Sequence, residues 1–166
     1  LNKDLLSELA KNFEGEIHIS LGMTTPEEVE KIVTHMEDAG RNKDTVIYSC
    51  TSGYPVDFED ICLYEITKLK EKYANRVKAI AFSGHHLGIA ADIAAMTLGT
   101  EYIERHFTID RTWKGTDHAA SLEPMGMRKL CRDVRNVSKA LAEKETAILG
   151  VEQVQRDKLK QNQVKW

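Results

Sequence analysis

The sequence predicts an α/β fold on a parallel sheet, amounting to half of a (β/α)8 barrel, and three observations carry that prediction. First, short apolar strands without in–out alternation recur at residues 17–20, 45–50, 79–82 and 101–104. Strands of that buried type belong in a parallel sheet covered by helices. Second, a helical pattern lies between each pair of them, giving the order αβαβαβαβα. Third, the βα units number four, where a closed barrel needs eight in about 250 residues. A four-stranded sheet covered on one side would expose a face and two edges. A further half-barrel, from a missing first half or from a partner, is therefore expected, with a homodimer as the expected assembly.

Each element has its own signal. Residues 2–12 place Leu5, Leu6 and Leu9 at helical spacing behind Asn2 as a cap, and Gly15 breaks the pattern. Ile17-His18-Ile19-Ser20 is a strand. Thr25-Pro26-Glu27-Glu28 opens a helix, with Thr as N-cap, Pro in the first turn and Glu three residues after the cap. Val29, Ile32, Val33 and Met36 form its apolar stripe, and Gly40 ends it. Residues 45–50 make the second strand. Asp57 is positioned to cap a helix running through Ile61, Ile66, Leu69 and Tyr73. The third strand, 79–82, leads through Ser83 to His85. The alanine-rich helix 90–98 stops at Gly99. The fourth strand leads to His106. Glu123-Pro124 opens a last helix with Met127, Leu130, Cys131, Val134, Val137 and Leu141 on one face. Residues 146–166 read as a linker or tail after a half-barrel over 1–145.

Composition bounds the function. The 166 residues are 42% hydrophobic and 30% charged, which suits one globular unit with a core. The net charge of −3 argues against a nucleic-acid or anionic-membrane binder. No apolar run approaches the ~20 residues of a membrane span. No signal peptide is visible, and the missing initiator Met points to a processed chain or a fragment. Cys50, Cys62 and Cys131 are scattered, as expected of reduced, buried thiols in a cytoplasmic protein.

The chemistry concentrates between Ser83 and Ser121. His85 and His106 lie 21 residues apart, one βα unit, at the same end of adjacent parallel strands. Ligands bind at that end in such folds. Imidazole suits Mn2+, Fe and Zn, and two protein ligands leave coordination positions open. A histidine at a strand end otherwise serves as a hydrogen-bonded structural residue. Ser20 and Ser83 offer hydroxyls for a phosphate or simple helix caps. Tyr54, extended by Pro55, either donates a phenol to a substrate or forms an aromatic lid. Asp117 accepts from ligand hydroxyls or makes a local turn. Glu104 and Arg105 face opposite ways, and each is also a candidate for a buried ion pair. His86 has no assigned role beyond a supporting or surface one.

Five stretches together resemble the second half of the N-acetylneuraminate (sialic acid) synthase family. They are the run from Ile19 to Glu28, Cys50-Thr51-Ser52-Gly53-Tyr54-Pro55, Ser83-Gly84-His85-His86-Leu87-Gly88-Ile89, Glu104-Arg105-His106-Phe107-Thr108, and the run from Gly115 to Pro124. The resemblance implies the last four βα units of a TIM barrel, in a cytoplasmic transferase of polysaccharide biosynthesis. It implies condensation of phosphoenolpyruvate with N-acetylmannosamine or a related amino-sugar aldehyde, releasing phosphate, with divalent Mn2+ or Mg2+. It implies His85 and His106 as catalytic metal ligands, Ser20 and Ser83 as phosphoenolpyruvate contacts, Tyr54 and Asp117 as sugar contacts, and Ser52 as a substrate-binding residue where the family often has Asn. The chain departs from the family pattern at Gly84, His86, Leu21 and Lys114. Two alternatives stay open: a metal-dependent hydrolase on the same barrel, and a non-catalytic half-barrel.

Overall fold

The structure, a computed structural model, describes residues 2–160. The order is α1 (Lys3–Asn12), β1 (Ile17–Ser20), α2 (Pro26–Asp38), β2 (Thr45–Cys50), α3 (Tyr64–Tyr73), β3 (Ala79–Gly84), α4 (Ala90–Thr97), β4 (Tyr102–Arg105), α5 (Pro124–Ala140) and α6 (Gly150–Leu159). The four strands are parallel and lie in chain order, β1-β2-β3-β4. A doubly wound sheet would reverse direction somewhere. This one does not, so it winds one way, as half of a barrel does.

Local chemistry fixes the elements. The Asn2 side chain accepts from Leu5 N at 3.0 Å and starts α1. Thr25 and Glu28 form a reciprocal capping box at α2, with Pro26 in the first turn. Arg41 then ties the end of α1 to the entry of β2. It donates to the carbonyls of Ala10 and Gly15 at 3.1 and 2.8 Å and to Asp44 at 2.9 Å.

The core lies between sheet and helices. Ile47, Ile80 and Phe82 from the strands meet Val29, Ile32 and Val33 of α2, Ile66 of α3, and Ala91 and Ala95 of α4. Burying each large aliphatic contributes about 1.5–3 kcal/mol. The small residues of α4 let that helix lie close on β3. The opposite face carries only a small cluster of Val46, Tyr48, Ala79 and Ala81, with Tyr102 against it. Strand alternation and the register put His18, Ser20, Cys50, Ser83 and Glu104 on that face too. This open, partly polar face corresponds to the inside of a barrel. Its N-terminal end is laced by His18 Nδ1 and Tyr48 OH at 2.7 Å, and by Tyr102 OH donating to Glu16 at 3.1 Å.

Three expectations need correction. Asp57 heads a one-turn 3-10 segment, Phe58–Asp60, without a side-chain cap; the chain turns through Cys62 at φ 53°, and α3 starts at Tyr64. The break lets Ile61 bury beneath the helices. The fourth strand is Tyr102–Arg105 rather than 101–104. The cysteines are free but not buried: Cys50 is half-buried, and Cys62 and Cys131 are exposed. On α5 only Leu130 is buried, and Leu141 is 54% exposed. That helix packs chiefly against α4, too narrow a neighbour to cover its whole stripe.

Within the stretch expected as linker or tail, residues 150–159 form α6, which buries no residue. Residues 161–166 of that stretch lie outside the described residues. Among the described residues no helix is long and apolar enough to cross a membrane.

Candidate active site

Parallel strands place their C-terminal ends together, and the two histidines sit just beyond the ends of β3 and β4. The register pairs Ser83 with Glu104 and Gly84 with Arg105, so His85 and His106 continue side by side on the open face. Their ring centroids are 5.0 Å apart, at 73°. Leu122 N donates to the His106 carbonyl at 2.8 Å and extends β4 past its end. Val56 N donates to the His85 carbonyl at 3.1 Å and pins the loop after β2 to the one after β3.

The same pinning delivers Tyr54. Its ring lies 4.6 Å from that of His85 and 5.6 Å from that of His106, so it stands over both imidazoles. It is 45% exposed, leaving it open to a ligand. Asp117 approaches from the loop after β4, its Oδ2 3.8 Å from His106 Nδ1. That is too long for a hydrogen bond. The Asp117 carbonyl accepts from Ser121 Oγ at 2.8 Å, which fixes the turn that presents it.

His85 is 6% exposed. Its Nδ1 lies 3.2 Å from the Thr51 carbonyl, which can only accept, so Nδ1 carries the proton and Nε2 keeps its lone pair. Burial holds the imidazole below its usual pKa, helped by the nearby His106 and opposed by the Thr51 bond. A neutral ring, oriented through its other nitrogen by a carbonyl, is the form in which histidine ligates metals. The pair thus fits a divalent cation that takes two imidazoles from this chain and its other ligands elsewhere. Among the described residues no group of three or more His, Cys, Asp and Glu converges for a metal.

The serines are arranged less compactly. Ser83 is buried on β3, level with Cys50 of β2. Ser52 reaches back toward Gly22, where any side chain would collide with its Oγ and approach Cys50 Sγ to 3.1 Å. Ser20, on exposed β1, is two strands from Ser83 and one side-chain pair lower in the register. From strand spacing and rise, their backbones are about 12 Å apart. That spacing lets them flank a ligand lying across the open face of the sheet.

The structure therefore gathers His85, His106, Tyr54 and Asp117, brings Ser52 and Ser83 to the same end, and leaves Ser20 at the margin. Sequence reasoning missed several residues here. Cys50 Sγ lies 3.9 Å from His85 Nδ1, and strand alternation alone would have put it on this face. Asp92, a lone acid in an alanine-rich helix, is wholly buried against Arg105 and His86.

Comparison with known proteins agrees with this fold. The family model described as the NeuB family matches residues 1–146. The chain is 40% identical over 131 residues to N-acetylneuraminate-9-phosphate synthase of Drosophila melanogaster, covering 79% of this chain and 34% of that protein. It is 32% identical over 143 residues to N,N'-diacetyllegionaminic acid synthase of Campylobacter jejuni, covering 86% of this chain and 42% of that one. Among solved structures, the N-acetylneuraminic acid (sialic acid) synthetase of Leptospira borgpetersenii, in complex with citrate, superposes with a TM-score of 0.78 at 31% identity. That match covers 96% of this chain and 55% of the other. The chain spans well under half the length of these curated relatives.

Proposed function

The chain belongs to the NeuB family, and from that premise we propose that it serves an enzyme joining phosphoenolpyruvate to N-acetylmannosamine or a related amino-sugar aldehyde. The product is a sialic-acid-like nonulosonate, and phosphate is released. The observation that carries the reading is the meeting of two imidazoles 5.0 Å apart under the Tyr54 ring, at the ligand-binding end of a parallel sheet.

In this reading C3 of phosphoenolpyruvate attacks the aldehyde carbon, and the aldehyde oxygen takes a proton. Water adds at C2, and the tetrahedral carbon expels phosphate by C–O cleavage. His85 and His106 hold the divalent metal, Mn2+ or Mg2+. When bound, that ion supplies Lewis-acid polarisation of the aldehyde carbonyl. Tyr54 and Asp117 orient the sugar hydroxyls, with Ser52 beside them. Ser83 and Ser20 contact the phosphate of phosphoenolpyruvate from either side of the open face. Holding two reactants in line removes much of the entropic barrier.

The closed form we infer is an eight-stranded (β/α)8 barrel, in which four further strands pair with the free edges of β1 and β4 and complete the substrate cradle. A cytoplasmic homodimer is the assembly this reading assigns. The test is phosphate release by the complete protein carrying this chain. Release should require phosphoenolpyruvate and the amino sugar together. Release from phosphoenolpyruvate alone would refute condensation and point to a hydrolase.

A further inference from the structure

Beneath the two histidines lies a buried ionic cluster that the proposed reaction does not use. Arg105 immediately precedes His106, and His86 immediately follows His85. The side chains of Arg105 and Asp92 are 1% and 0% exposed, and that of His86 is 0% exposed. Arg105 Nη1 donates to Asp92 Oδ2 at 2.5 Å and to the Gly88 carbonyl at 2.8 Å. Its Nη2 donates to the carbonyls of His86 at 2.6 Å and Ala120 at 3.4 Å. One guanidinium on β4 thus grips the loop after β3 at two carbonyls and the loop after β4 at a third.

Gly84 makes room for this arrangement. A Cβ there would stand 3.1 Å from Arg105 Cδ and 3.0 Å from His86 Cε1.

Stability alone is a weak account of the cluster. Among the described residues, His86 Nδ1, Asp92 Oδ1 and Arg105 Nε are buried without a hydrogen-bond partner. Unpaired buried polar atoms cost free energy, and apolar replacements of buried ion pairs are often neutral or stabilising. What a planar, rigid fork supplies is fixed geometry between the groups it grips. Those groups are the backbone segments that carry His85 and His106.

We propose that Arg105, braced by Asp92, is a positioning residue that sets the spacing of the His85 and His106 rings by clamping the loops after β3 and β4 to one guanidinium. The inference rests on the reading of His85 and His106 as a shared cation site, and its test keeps the two separable.

The test measures Mn2+ binding to the complete protein by the electron paramagnetic resonance of the free ion, with folding followed by circular dichroism. Three variants are compared: the charge-balanced pair Asp92→Leu with Arg105→Met, the single Arg105→Lys, and His85→Ala. The paired variant should keep a cooperative fold, since it leaves no unpaired charge, yet bind Mn2+ about 10- to 100-fold more weakly, the usual loss when support of a ligand is removed. Arg105→Lys, which keeps the charge and loses the fork, should fall between that variant and the parent. A folded paired variant within twofold of the parent would overturn the proposal, with the histidine reading intact. Loss of folding in both Arg105 variants would also overturn it, since Arg105 would then be a stability residue. Mn2+ binding unchanged in His85→Ala would remove the histidine reading and this inference with it.

Discussion

Gly22→Ala tests whether the loop after β1 and the loop after β2 pack as one unit at the mouth of the site. The new methyl would collide with Ser52 Oγ, come within 3.1 Å of Cys50 Sγ, and touch Ser52 Cβ at 3.6 Å. The backbone at Gly22 is not left-handed, so alanine brings no strain of its own and removes about 0.4–1 kcal/mol of unfolded-chain entropy. Against that gain, Ser52 must leave its rotamer, at about 0.5–1.5 kcal/mol, and Cys50 must give by a few tenths of an ångström. The net expectation is destabilisation by about 0.5 kcal/mol. Removing the obstructing hydroxyl with Ser52→Ala should reverse the sign of the Gly22→Ala effect. A double-mutant cycle by urea denaturation should therefore show about 1 kcal/mol of coupling. With Ser52 read as a substrate contact, Gly22→Ala should also raise KM for one of the two substrates more than it lowers kcat. Additive stabilities, or an unchanged KM, would refute the reasoning.

Two further predictions concern the scaffold. Arg76 bridges Glu30 at 2.6 Å and Glu37 at 2.6 Å, and with Lys72 it holds the Glu30 carboxyl down at about 2. A depressed carboxylate pKa stabilises above the ordinary carboxylate range, and the contribution is lost as pH falls through that range toward about 2. Arg76→Met should therefore cost about 1 kcal/mol at neutral pH, discounted for solvent screening, and progressively less between about pH 5 and about pH 3. An equal cost across that range in urea melts would contradict the pairing. Phe82, 2% exposed between the sheet and His86, should cost about 3–5 kcal/mol on truncation to Ala. A loss below about 1 kcal/mol by denaturant titration would mean that this end of the core can collapse around the gap.

The backbone plan was legible because its signals are local. Thr25, Pro26 and Glu28 carry the start of α2 within four residues, Gly99 at φ 88° marks the end of α4, and the strands announce themselves as unbroken apolar runs. The gathering of His85 and His106 followed from topology alone, since parallel neighbours end together. Tyr54 was legible as a loop residue, but its placement over both rings depends on the bond from Val56 to His85, which joins residues distant in sequence. The break before α3 was not legible, because it arises from the left-handed turn at Cys62, a residue with no preference for that conformation. The expectation of buried cysteines failed for a related reason. Composition says that thiols tend to be inside, while the face that Cys131 occupies depends on how much of α5 finds a neighbour. A buried ion pair was one reading of Arg105, and the structure bears it out; its partner Asp92 was hidden because a pairing 13 residues apart, across a helix and a strand, has no local signature.

The central claim is that two imidazoles of this chain share one cation. Pulsed electron paramagnetic resonance of Mn2+ bound to the complete protein tests it most directly, by counting coupled imidazole nitrogens. The account predicts two coupled rings in the parent protein, and one in whichever of His85→Ala and His106→Ala still retains the ion. A spectrum without imidazole coupling, or one unchanged by either substitution, would contradict it.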